Sequence, residues 1–250
     1  MAGLLPFLAA IKTPVVVCNL EDSLEPDLHD KYTKSTILTR EGRQIGVVGV
    51  TTRDKSGDWG NLQILPEIEH VRMEVDRLTE QGIKIIIVLS HCGLRSDLQM
   101  AKEGGAIDLI VGGHSHSFLF TGSNPTGPDT PVDNYPTIVK QDNGRDVLIV
   151  QASAYAKYLG NITLFFNDEG EVVSHEGAPI FLSHEIPQDE EILREIEPWK
   201  LEVDKFQTRK IGKSKFPLNN DCSRKECSMG NFVTDAMVYS VRFFITFQII

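Results

Sequence analysis

Two stretches decide the fold: residues 83–91, which read IKIIIVLSH, and residues 107–116, which read IDLIVGGHSH. Each begins with a nearly continuous run of aliphatic residues, which is typical of strands covered on both faces in an α/β sheet. The helix-like stretch between them, residues 96–103, completes a strand–helix–strand unit whose crossover is right-handed and whose strands are parallel. The sequence therefore predicts an α/β fold in which these two strands are neighbours.

Hydrophobic periodicity predicts the other elements. Helices are expected at residues 3–11 (a core helix), 66–81, 188–206 and 229–239; strands at 14–19, 35–39, 44–50, 136–140, 147–151, 161–166 and 171–175; and a strand-like segment near 209–216. The strands at 35–39 and 44–50 are joined by Arg40-Glu41-Gly42-Arg43. Because glycine tolerates the required turn, this pair indicates a β-hairpin.

The composition limits the partners. The net charge is −10, from 35 acidic and 25 basic residues, which argues against binding nucleic acid through a basic surface. A small phosphorylated substrate remains compatible, since bound metal ions can supply positive charge. No segment approaches the roughly 20 apolar residues of a membrane span, and the apolar N-terminus lacks the basic region and cleavage site of a signal peptide.

Histidines follow both deciding strands directly. His91 ends the first, while His114 and His116 come after the second. Ligands of open α/β sheets bind outside the carboxyl ends of the strands, and residues two apart in an extended chain point to the same side. Gly112 and Gly113 remove side chains where the backbone must pass close to that centre. The pattern predicts a metal site, since imidazole suits zinc, manganese or iron; the alternative is hydrogen-bonded histidines with no ligand role.

Further ligands and catalytic groups are not evident. The one Asp-x-His match, Asp27-Leu28-His29, lies in a polar loop and is not expected to bind metal, and His70, His175 and His184 are expected to be solvated. Nothing resembles a nucleophile elbow, a phosphate-binding loop or a dinucleotide-binding glycine pattern. No catalytic or substrate-binding residue is therefore assigned.

The cysteines suggest an oxidising compartment. Cys222 and Cys227 flank a short charged loop, and this spacing favours a small disulfide, with free thiols or part of a metal knuckle as alternatives. Cys18 and Cys92 each end an apolar run and are expected to be buried. Asn161 begins an Asn-Ile-Thr glycosylation sequon at the start of a strand.

The chain resembles the 5′-nucleotidase/apyrase family, in particular animal ecto-5′-nucleotidases and insect salivary apyrases. The resemblance runs from about residue 2 to about residue 239, in one order. It is carried by residues 90–93, 108–116, 118–122, 135–136, 150–152 and 157–160, and later by Cys222, 226–227, 229–231 and 235–237.

This resemblance implies a domain organisation and a metal centre. Residues 1–187 would form part of a calcineurin-like metallophosphoesterase sandwich, 188–206 a connecting helix, and 207–250 the start of a nucleotide-binding C-terminal domain. His91 and His114 fall on two ligands of one metal, and His116 falls on the side of a second. The implied cofactors are divalent metal ions, zinc first, with manganese or calcium as alternatives.

The family reaction implies hydrolysis of AMP to adenosine and phosphate, or alternatively of ATP and ADP, in an extracellular or cell-surface enzyme that can form homodimers. The family's N-terminal Asp-x-His-Gly and Gly-Asn-His-Glu/Asp motifs are absent, which predicts an incomplete chain. A non-catalytic fragment that binds a metal or a partner is the second hypothesis. A structural α/β domain with incidental histidines is the third.

Overall fold

The computed structural model describes residues 3–53, 60–222 and 225–246, in two compact units, Met1–Pro187 and Gln188–Ile250. The helices are α1 Leu4–Ala10, α2 Glu67–Glu80, α3 Leu94–Glu103, α4 Glu190–Gln207 and α5 Ser228–Thr246. The strands are β1 Leu20–Glu21, β2 Ser35–Arg40, β3 Arg43–Thr51, β4 Gln63–Ile64, β5 Ile85–His91, β6 Leu109–Val111, β7 Thr137–Lys140, β8 Asp146–Val150, β9 Tyr158–Leu159, β10 Thr163–Phe166, β11 Val172–Glu176 and β12 Ile180–Phe181.

A six-stranded mixed sheet, in the order β2-β3-β5-β6-β8-β7, organises the first unit. The inner strands β3, β5, β6 and β8 are parallel, and the outer pairs are antiparallel. This confirms the predicted α/β class and the parallel pairing of the two deciding strands. The predicted hairpin is confirmed as β2–β3, whose turn residues Glu41 and Gly42 have φ values of 50° and 79°, as a tight two-residue turn requires.

One face of this sheet is covered by α2 and α3. Both helices are amphipathic, and their apolar residues meet the alternate inward positions of the strands. The side chains that are fully buried in this layer include Val71, Val75 and Leu78 of α2, Met100 and Ala101 of α3, and Val48, Ile86, Val88, Ile110 and Ile149 of the sheet. Burying each large aliphatic side chain contributes about 1.5–3 kcal/mol, so this layer is the main core.

The opposite face has a smaller core. Leu109, Leu148 and Val150 pack with Leu119 and Tyr135, and partly buried residues of the β10–β11 region contact this cluster. Near the carboxyl ends of the strands the cover is thinner, since Leu89 is 43% and Val111 38% exposed. The expectation of strands covered on both faces is therefore right for their middle and wrong for their last residues.

Three element predictions need correction. Helix α1 has no buried residue, and Phe7 is 55% exposed, so it is not a core helix. The expected strand at 14–19 is reduced to a bridge between Val16 and Thr33 and a hydrogen bond from Cys18 N to Gly49 O. Residues 209–216, all of them described, contain no strand.

The second unit consists mainly of α4 and α5. Helix α4 begins at the N-cap Asp189, whose Oδ1 accepts hydrogen bonds from Glu191 N and Ile192 N, which satisfies two free amides of the first turn. No α4 residue is buried, although Ile196 and Trp199 are apolar. A disulfide joins Cys222 and Cys227. Among the described residues, no helix is long and apolar enough to cross a membrane.

Candidate metal centre

The carboxyl ends of β5 and β6 bring two histidines together. The parallel register pairs Leu89 with Val111, so His91 and the turn after Val111 leave the sheet at the same edge. The rings of His91 and His114 lie edge to face, with centroids 5.2 Å apart and planes at 69°. The sequence thus located both residues at one edge, and the strand register explains why they meet.

His116 takes a different direction. His114 and His116 have φ values of 70° and 54°, a conformation that is uncommon for residues with a side chain. The chain is therefore not extended here, and the premise that placed both rings on one side is wrong. The ring of His116 lies 5.5 Å from that of Tyr155, at the mouth of a cavity of about 350 Å³.

Glycines allow the two histidine-bearing segments to approach each other. A Cβ added to Gly113 would lie 3.1 Å from His91 Nδ1, and one added to Gly93 would lie 3.6 Å from His114 Cδ2. Gly93 also has a φ of 89°, which favours glycine. The predicted role of Gly113, to admit backbone close to the histidines, agrees with this packing.

Buried polar side chains lie directly beneath the histidines. Ser90 Oγ donates to Asp97 Oδ1 at 2.5 Å and accepts from Cys92 N at 3.2 Å, so these bonds bracket His91. Asp97 is fully buried, and its Oδ2 has no hydrogen-bond partner. Burial raises the pKa of Asp97 to about 6, while the bond from Ser90 opposes the shift.

Sequence reasoning missed these supporting residues. Ser90 and Gln151 were noticed only within stretches that resemble a family, and Asp97 not at all. A usable signal existed for Gln151, because it directly follows the apolar run of β8 and therefore lies at the same edge of the sheet as the histidines. Asp97 gives no such signal, since one acidic residue on an amphipathic helix usually faces solvent.

The electrostatic surroundings favour neutral imidazole. Partial desolvation of its ring, followed by the nearby His114 and His116, lowers the pKa of His91. A metal ion binds the neutral form of histidine, so a lowered pKa reduces competition from protons. All three histidines are solvent-accessible.

The fit to a metal ion is partial. His91 and His114 could occupy two positions of one ligand set, but His116 points toward Tyr155. Across residues 3–53, 60–222 and 225–246, no group of three or more His, Cys, Asp or Glu side chains is arranged to hold a metal ion. His29 pairs with Asp22 at 3.3 Å. The described residues thus offer two imidazoles and not a complete centre.

The other sequence-predicted sites are distant in kind. Asn161 is exposed and precedes β10, so a glycan is compatible with its position. Cys18 and Cys92 are buried free thiols, as expected, and burial is the main cause that raises the pKa of each to about 12. A protonated thiol is a poor nucleophile and a poor metal ligand, so neither cysteine adds to the centre.

Parallel strands that end in histidines, covered by helices on one face, define an α/β fold of the phosphoesterase type. The structure superposes with a TM-score of 0.86 on a 5′-nucleotidase precursor from Thermus thermophilus, at 30% identity, over 96% of this chain and 48% of the other. A calcineurin-like phosphoesterase from Bacillus subtilis shares the fold alone, with a TM-score of 0.58 at 19% identity, over 81% of this chain and 66% of the other.

The sequence comparisons point to the same group of proteins. The chain is 46% identical to an apyrase of Tabanus yao over 242 residues, which are 95% of this chain and 44% of the relative. It is 35% identical to the mouse 5′-nucleotidase, over 93% of this chain and 42% of the relative. No family model matches. The predicted resemblance to 5′-nucleotidases and apyrases is confirmed, and the chain spans less than half the length of these relatives.

Proposed function

We propose that this chain is part of a metal-dependent phosphohydrolase that releases phosphate from nucleotides, with AMP as the first candidate substrate and ADP or ATP as the alternative. The observation that carries the proposal is the 5.2 Å pair of His91 and His114 at the carboxyl edge of the sheet, in a chain so similar to nucleotidases. A divalent ion, zinc first, would polarise a phosphoryl oxygen and neutralise charge that develops there.

The residues of this chain would have distinct parts in that function. His91 and His114 would hold the ion with neutral imidazoles. Gly113 would keep the turn close to His91, and His116 with Tyr155 would form one rim of the substrate space. Because Tyr155 is 86% exposed, its ring is free to contact a bound nucleotide.

The domain plan follows from the same proposal. Residues 1–187 would supply the phosphoesterase part, 188–206 a connecting helix, and 207–250 the beginning of a nucleotide-binding domain. An extracellular or cell-surface location suits the Cys222–Cys227 disulfide and the exposed sequon at Asn161, because both modifications belong to oxidising, secretory compartments.

Phosphate release tests the proposal. The purified chain is incubated with AMP, ADP or ATP and with Zn²⁺, Mn²⁺ or Ca²⁺, and free phosphate is measured. We expect metal-dependent release that His91→Ala and His114→Ala abolish. The control His175→Ala changes an exposed histidine of β11 and should leave the rate unchanged. No release above the blank would refute hydrolysis by this chain.

A second candidate function rests on a separate observation. No carboxylate among the described residues joins His91 and His114 in a metal-binding group, so the chain could bind one ion without hydrolysing a substrate. Calorimetry with Zn²⁺ separates the candidates. Binding that His114→Ala weakens, without phosphate release, favours the binding function, whereas identical traces for the variant and the wild type exclude it.

A further inference from the structure

One buried amide supports the whole histidine turn. Gln151 directly follows β8 and is 3% exposed. Its Oε1 accepts hydrogen bonds from Ser117 N at 2.6 Å and from Ser115 Oγ at 3.1 Å, while its Nε2 donates to Gly113 O at 3.3 Å. A single side chain therefore bonds to the backbone on both outer sides of the turn that carries His114 and His116.

This turn needs external support. Positive φ values at His114 and His116 each cost about 1 kcal/mol or more and persist only where the surroundings hold them. Within the turn, Ser115 N donates to Gly113 O at 2.9 Å, which closes a tight bend but does not anchor it to the sheet. The Gln151 amide supplies that anchor, because β8 is a central strand of the sheet.

The same network reaches the segment that carries His91. Ser115 Oγ, which donates to Gln151, also accepts from Leu94 N at 3.0 Å at the start of α3. Gly113 lies so close to His91 that a Cβ there would be 3.1 Å from Nδ1. The position of the turn therefore sets the distance between the His91 and His114 rings.

We propose that Gln151 is a positioning residue: by clamping residues 113–117 against β8 and α3, it fixes the spacing of the His91–His114 pair. Its importance for metal binding rests on the proposed function, whereas its control of the ring spacing does not. The amide touches neither imidazole, so its effect is transmitted through the backbone of the turn.

The chain offers a matched control. Gln141 is another buried glutamine, 9% exposed, whose Nε2 donates to Ala101 O at 2.8 Å and to Gly105 O at 2.9 Å. It follows β7 and lies at the opposite, amino edge of the parallel strands. Gln151→Met and Gln141→Met both keep an unbranched side chain of similar length and remove its hydrogen bonds.

The first measurement needs no metal. Overhauser contacts between the ring protons of His91 and His114 are recorded by NMR for the wild type and both variants. We expect the contacts in the wild type and in Gln141→Met, and their loss in Gln151→Met. Contacts retained in Gln151→Met, or lost equally in both variants, would overturn the proposal, because a general loss of stability would then account for the result.

The second measurement is Zn²⁺ affinity by calorimetry. Loss of residues that orient metal ligands weakens binding by about 10–100-fold, and we expect a loss near the lower end of this range for Gln151→Met and none for Gln141→Met. Equal affinities in the two variants would contradict the link between ring spacing and binding. If Gln151→Met does not fold, Ser115→Ala, which removes the exposed hydroxyl of the same network, is judged by the same two measurements.

The two proposals can fail separately. If the wild type binds no Zn²⁺, or binds it as tightly after His114→Ala, the metal function falls, while the Overhauser contacts still decide the role of Gln151. If His114→Ala weakens binding but Gln151→Met preserves both the contacts and the affinity, the positioning role falls and the metal function stands.

Discussion

The two edges of the central sheet each bury an aspartate, and the two aspartates are treated differently. At the amino edge, Asp108 accepts from Ile86 N at 2.8 Å and from Arg145 Nη2 at 2.5 Å, so both of its oxygens are bonded. At the carboxyl edge, Asp97 accepts only from Ser90, and its Oδ2 has no partner. Burial is the main cause that raises the pKa of each to about 6.

This difference separates an edge built for stability from an edge that retains strain. The carboxyl edge also contains the positive φ values of His114 and His116 and the close approach of Gly113 to His91. Strained backbone and incompletely satisfied polar groups concentrate where a protein binds or reacts. The contrast thus agrees with the assignment of the candidate site to the carboxyl edge.

The largest expected effect is at the amino edge. Asp108→Ala removes the acceptor of Ile86 N and leaves Arg145, whose side chain is 23% exposed, without its carboxylate. Breaking a buried pair from one side is strongly destabilising, and we expect about 3 kcal/mol less stability. Urea unfolding monitored by circular dichroism measures this; a loss under about 1 kcal/mol, the range of exposed pairs, would show that this edge is not the more rigid one.

A smaller loss is expected from overpacking at the carboxyl edge. In Gly112→Ala the new Cβ would lie 2.4 Å from Asp97 Oδ2 and 3.1 Å from Gln151 Nε2. We expect a loss of about 2 kcal/mol, measured in the same unfolding experiment. Gly160→Ala is the control, since its nearest atom would be Tyr135 Oη at 3.3 Å; equal losses would mean that Gly112 is not specially confined.

Asp97→Asn should reverse the sign of the effect. A buried carboxyl group with a pKa raised from 3.8 to about 6 binds a proton more tightly folded than unfolded, so stability falls as the pH rises from about 4 to about 6. Asparagine does not ionise, and we expect a gain of about 1 kcal/mol at pH 8. The gain should shrink toward pH 5, and thermal unfolding at both pH values would detect a constant or negative difference if the reasoning fails.

The smallest effect is expected on the surface near the amino edge. Lys140 and Asp146 form an ion pair at 2.7 Å, with side chains 68% and 45% exposed. Solvent screens such a pair, so Asp146→Asn should cost less than about 1 kcal/mol. A larger cost in urea unfolding would mean that exposed charges contribute as much to this edge as the buried Asp108–Arg145 pair.

The sequence located much of the fold because its strongest signals are local. The apolar runs that became β5 and β6 and the periodicity of α2 identify elements whose burial does not depend on distant detail. The segment at residues 14–19 misled because its run of valines resembles a strand, yet its backbone pairs only at Val16 and Cys18. Pairing depends on neighbouring strands, which a local pattern does not reveal.

The sequence by itself determined that His91 and His114 end neighbouring parallel strands, because hydrophobic runs and chain order fix that placement. Only the tertiary structure decided that His116 turns toward Tyr155, that Asp97 is buried with a free oxygen, and that Gln151 clamps the turn. The physical reason is that backbone torsion at two residues and hydrogen bonds between positions more than thirty residues apart depend on packing, and no periodic pattern in the chain encodes them.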